Sequence, residues 1–87
     1  MMDVREWALK WIEGSFRSYV KGRTHLNMVL GRVKRAVESY GVKENEVFGI
    51  LELIKGPLVL PSMPVEEKAR KVAELKSALE GMFKQRK

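Results

Sequence analysis

The segment Thr24-His25-Leu26-Asn27-Met28-Val29-Leu30-Gly31-Arg32-Val33-Lys34-Arg35-Ala36-Val37-Glu38-Ser39-Tyr40-Gly41 decides the fold of this chain. Leu26, Val29, Leu30, Val33, Val37 and Tyr40 recur at spacings of three and four, the pattern of a helix with one apolar side. Thr24 is the expected N-cap and Gly41 the stop. Advancing about 100° per residue places Met28, Gly31, Arg32 and Arg35 opposite the apolar stripe, with Lys34 and His25 flanking that outward side. One side of the helix must supply core while the other offers positive charge to a partner.

The positive charge extends beyond this helix. From Gly14 to Val37 the chain carries Arg17, Lys21, Arg23, Arg32, Lys34 and Arg35 and no acid, with Glu13 and Glu38 as its bounds. This is a local cationic surface on top of a formal net charge of +6. Such a balance favours polyanionic partners, nucleic acid or an acidic protein.

Upstream, Asp3 with Glu6 three positions later forms a capping box that should open a first helix, and Gly22 should close it. Val4, Trp7, Ala8, Trp11, Ile12 and Tyr19 fall on one broad side, so the two tryptophans are expected in the core. Gly14-Ser15 is a place where this helix could bend. Downstream, Asn45–Lys55 reads as a third helix, capped by Asn45, stopped by Gly56-Pro57 and apolar nearly all round, hence central. Pro57, Pro61 and Pro64 recur too closely for a helix, so an extended connector follows, with Leu58–Leu60 as a short strand.

From about Pro64 a last, long helix runs into the basic tail 84–87. Glu6 with Lys10, Glu13 with Arg17, Glu66 with Arg70, Glu67 with Lys71 and Glu80 with Lys84 stand four apart, the spacing of helical ion pairs. Val65, Val72, Leu75, Leu79 and Met82 fit a heptad seam, which either packs on the other helices or pairs with its copy. The expected fold is therefore all-α: a single four-helix domain over residues 1–87, with a long C-terminal helix after a Pro-rich extended connector.

At 87 residues a chain buries only about 60% of its unfolded surface, so self-association is a natural source of extra stability. Its 45% hydrophobic and 32% charged content is that of a folded protein rather than a disordered one. Asn27, Asn45 and Gln85 are the only amides, a scarcity that accompanies thermophilic composition. The N-terminal residues are charged where a signal peptide needs an apolar run, and no stretch approaches the ~20 apolar residues of a membrane span. A cytoplasmic location without membrane attachment is the corresponding expectation.

Catalysis has little to work with. There is no cysteine, His25 is the only histidine and Asp3, the only aspartate, is used as a cap. No metal-ligand set, phosphate-binding glycine loop or nucleophile motif is present, so neither an enzyme nor a cofactor is expected. The spacing of Val37, Gly41, Val47 and Ile50 resembles a helix-turn-helix motif over about twenty residues. However, Val37 is bulkier than the small residue usual there, and the reading helix would present Glu44 and Glu52 to phosphate. Contact is better assigned to the basic helix and the tail: Arg17, Lys21, Arg23, Arg32, Lys34, Arg35, Lys84, Arg86 and Lys87, acting on phosphates. Double-stranded DNA is the first expectation, because no exposed aromatic pair suggests stacking on single strands. The alternative is an assembly module that forms a homodimer through Val72, Leu75, Leu79 and Met82 and uses the basic side for an acidic protein.

Overall fold

Helix α1 (Val4–Val20) begins at the expected residue. In the computed structural model, which describes residues 3–86, Asp3 is its N-cap and accepts from the Glu6 N–H at 2.8 Å, one of the two bonds of a capping box. Gly14 and Ser15 do not interrupt it. The Ser15 hydroxyl is buried but donates to the Trp11 carbonyl at 2.8 Å, which satisfies it inside the helix. The helix ends in a Schellman motif: Gly22 N–H donates to the Tyr19 carbonyl and Arg23 N–H to the Ser18 carbonyl, each at 2.9 Å. Gly22 has φ +82°, a conformation that a side chain would strain.

Helix α2 (Leu26–Ser39) takes His25 as N-cap, one residue later than expected. Thr24 is engaged elsewhere, its hydroxyl sharing a 2.6 Å hydrogen bond with that of Ser18 on α1. Gly41, at φ +77°, then turns the chain into α3 (Glu44–Lys55). The cap of α3 is Lys43 and not Asn45; its N–H donates to the Glu46 carboxylate at 3.0 Å. Helix α4 (Val65–Arg86) has 22 residues. At 1.5 Å per residue it is about 33 Å long, close to the 35 Å longest dimension of the molecule.

These four helices and no strand, among the described residues, make an all-α fold. Helices α1 and α2 form an antiparallel hairpin. Helices α1 and α4 each touch the other three, whereas α2 and α3 lie on opposite sides of them and scarcely meet. The central element is thus α1 and not α3. Val47, Leu51 and Ile54 of α3 are buried, but Leu53 is 57% exposed, so its apolar circumference is only partly used. The weak contact between α2 and α3 also removes the helix-turn-helix reading, which needs those two helices packed on each other. One core cluster draws on all four helices, with Ile12, Phe16, Val29, Val33, Leu51, Ile54, Leu75 and Leu79 at 0–1% exposure.

The seam of α4 faces this core. Val72, Leu75 and Leu79 retain at most 2% of their surface, Phe83 joins them, and Met82 is half-buried against the cluster. They pack in the chain's own interior, the first of the two arrangements that the heptad spacing allows. Val65, in phase with the stripe but at the first residue of the helix, is 79% exposed. On the α1 side of α4, the buried Tyr19 donates its hydroxyl to Glu74 Oε2 at 3.1 Å, while Lys71 lies over its ring. Burial, and then the Glu74 carboxylate, push the Tyr19 phenol above its ordinary pKa, so it remains a neutral donor.

The connector turns instead of extending. Val59 N–H donates to Gly56 O at 3.3 Å and Met63 N–H to Leu60 O at 3.1 Å, and Leu60 sits at φ +52° with its side chain against the core. Lys68 holds this arrangement. Only 7% exposed, it donates from Nζ to the carbonyls of Gly56 and Val59, both at 2.7 Å, and so ties the connector to the first turns of α4. A buried ammonium is tolerated because two carbonyl dipoles replace part of its hydration.

Two stability outcomes are expected. Lys68→Met should lower unfolding free energy by about 1–3 kcal/mol, since it leaves the Val59 carbonyl without its partner; an unchanged urea midpoint would show that the connector does not depend on this lysine. Leu75→Ala or Leu79→Ala should each cost about 2–5 kcal/mol by opening a core cavity. In the same samples sedimentation should give the parent mass, whereas a variant that falls to half the parent mass while staying folded would restore α4 as a dimer seam.

Candidate functional site

The α1–α2 hairpin gathers the aromatic side chains that the core does not absorb. Trp7 and Trp11, one turn apart on α1, stack with ring centroids 5.1 Å apart and an interplanar angle of 24°. Tyr40, at the end of α2, meets Trp7 edge-on at 5.8 Å and Trp11 at 6.3 Å. The cluster stands at the rim of the fold: Trp7 is 48% exposed, and Trp11 and Tyr40 are half-buried. The expectation of two core tryptophans is corrected by the rotation of α1, which turns Ala8, Ile12, Phe16 and Tyr19 inward and leaves the Trp7–Trp11 edge beside α2.

Arginines of α2 are laid against these rings. The Arg32 guanidinium lies 5.8 Å from the Trp11 ring centroid and donates to Ser15 Oγ at 2.9 Å and to Met28 Sδ at 3.3 Å. Ser15 Oγ in turn donates to the Trp11 carbonyl, so α1 fixes both the ring beneath Arg32 and the acceptor beside it. A guanidinium has about five N–H donors, and this network uses two of them. Arg35, exposed, lies 5.9 Å from the Tyr40 centroid and donates from Nε to its hydroxyl at 3.1 Å. That bond raises the Arg35 pKa still further, so its charge is permanent. The exposed large apolar residues of the hairpin, Val4, Trp7 and Met28, complete a mixed aromatic and cationic surface.

The remaining basic residues disperse. Lys21 and Arg23 are exposed in the turn that joins α1 to α2, at one end of the hairpin. Arg17 is exposed on α1 and paired with Glu13 at 3.0 Å, the only one of the five expected i,i+4 pairs that closes among the described residues. Lys34 faces the groove between α2 and α4, with Gly31, Met82 and Gln85. Lys84 lies on the other side of α4, where Phe48 and Phe83 form a groove rimmed by Glu44, Glu52 and Glu80. Lys87 and the side chain of Arg86 lie outside the described residues. Of the seven expected cations whose side chains are described, Arg32 and Arg35 are the two that lie against aromatic rings of the hairpin.

The sequence reading missed Trp7, Trp11, Tyr40 and Ser15 as members of this surface. A signal was available: Trp7 and Trp11 lie at one edge of the α1 apolar arc, about 40° apart by helical register. Among the described residues no three His, Asp or Glu side chains converge on a metal position, and no helix is long and apolar enough to cross a membrane. The chain matches no protein-family model, no curated protein and no solved structure.

The two indoles should differ in solution. Trp11→Phe, which leaves Trp7 as the sole tryptophan, should be quenched strongly by acrylamide and emit at the longer wavelength; Trp7→Phe should be the better protected variant. Equal quenching of the two would contradict the placement of Trp7 at the rim.

Proposed function

We propose that this chain is a cytoplasmic, non-catalytic nucleic-acid-binding protein that uses the α1–α2 surface to hold phosphates. The observation that carries this reading is Arg32, stacked on Trp11 and anchored to Ser15, with Arg35 one turn away. A guanidinium held in one orientation loses little further rotamer freedom on meeting a phosphate, and its planar fork suits two phosphate oxygens at once. Lys21 and Arg23 extend the positive field at the turn end of the hairpin. Duplex DNA, the first expectation, would be met through its backbone. The ground on which it was preferred no longer holds, because Trp7 and Trp11 are an aromatic pair at the surface.

The assembly alternative loses its seam, since Val72, Leu75 and Leu79 are core. An acidic protein as the partner of the same basic surface is the competing occupant. Titration against a random duplex and an oligothymidylate over a range of salt concentrations tests the proposal. The parent should bind at low salt, with affinity falling steeply as salt rises. Arg32→Ala with Arg35→Ala should weaken binding irrespective of base sequence and reduce the logarithmic salt slope by about 1.4–1.8, the loss of two phosphate contacts. No binding to either nucleic acid at low salt would refute the proposal and leave an acidic protein as the partner to seek.

A further inference from the structure

We infer that the nucleic acid this surface takes is single-stranded, with a base stacked on Trp7. The inference rests on the nucleic-acid reading above and names the form of the partner. Trp7 has one ring face against Trp11 and the edge of Tyr40 at a near right angle, 85°, yet keeps 48% of its surface open. An indole in that position is costly to leave in water unless something covers it. A duplex has no base face to offer, so on duplex DNA the arginines would be occupied and Trp7 would stay wet. A single strand presents a phosphate and an unstacked base within one nucleotide, and the hairpin presents the Trp7 indole against two rings, Trp11 and Tyr40, that carry the Arg32 and Arg35 guanidinium groups.

The rest of the surface suits the same occupant. Trp11 supports Trp7 from below and Arg32 from beside, so the platform is built before the ligand arrives. Tyr40 supports Trp7 by its edge and carries Arg35 through both its ring and its hydroxyl. Each aromatic ring of the cluster thus either takes or braces a stacking contact, and the two arginines braced by them are those assigned to phosphate. An apolar peptide would use Val4, Trp7 and Met28 but would leave two guanidinium groups without anions. Of the two forms of nucleic acid, the single strand is the one that matches the charge and the rings together.

Tryptophan emission and affinity of the full chain should be followed with an oligothymidylate and, in parallel, a random duplex of equal length, both at low salt. The parent should bind the single strand more tightly and lose tryptophan emission on doing so. Trp7→Ala should weaken single-strand binding about tenfold or more and duplex binding by clearly less, while Trp7→Phe, which keeps a ring, should retain most of the affinity. Circular dichroism and melting of each variant separate these effects from loss of the fold. Duplex binding equal to or tighter than single-strand binding, with no change in emission and no effect of Trp7→Ala, overturns the inference but leaves phosphate binding standing. Failure of the parent to bind either form overturns both.

Discussion

The structure depends on the burial of Ile12 and Phe16, which have no exposed surface and lie on a helix covered by three others. A domain of this size has room for one such helix, and its demand for cover sets the positions of the rest. Helix α2 returns along α1 through the Gly22 turn, α3 packs on another side, and α4 contributes Leu75 and Leu79 across the remaining gap. Removing α4 would expose α1 at once. That is why its seam is interior, and why Lys68 is drawn under the connector to hold the approach to α4 in place.

The same demand produces the aromatic and cationic surface of the hairpin. With Ala8, Ile12, Phe16 and Tyr19 inward, Trp7 and Trp11 fall at the junction with α2, too large to be enclosed between two helices at close range. Each covers one face of the other, Tyr40 meets both at an angle and Arg32 lies over Trp11, while Trp7 stays 48% exposed. The Ser15 hydroxyl is a small but decisive part of this. By donating to Trp11 and accepting from Arg32 it connects the backbone of one helix to a cation of the other. Position and charge are thereby linked in one network.

On the proposed reading, permanent charge beside an aromatic ring meets the two needs of a nucleic-acid strand, neutralised phosphate and a covered base. With Lys34 and Lys84 in other grooves, the proposed contact falls to few residues. The strength of the contact then rests on how well those few are held.

By itself the sequence determined the number of helices, the phase of each apolar stripe and the left-handed turns at Gly22 and Gly41, because these follow from local spacing and backbone sterics. Helix starts were legible to within about two residues: Asp3 caps α1 as read, while Thr24 and Asn45 gave way to His25 and Lys43, since Thr24 found Ser18 and Glu46 supplied the cap at α3. Only the tertiary structure decided which part of a broad apolar arc is covered. A helical pattern records phase about its own axis and not the rotation of that axis against its neighbours. Hence Trp7 was read as core and lies at the rim, the burial of Lys68 under the connector was not foreseen, and of the two arrangements open to the α4 seam it took the one inside its own chain. The pairing of Arg32 with Ser15 and Trp11 joins residues far apart in sequence, and no local rule encodes it.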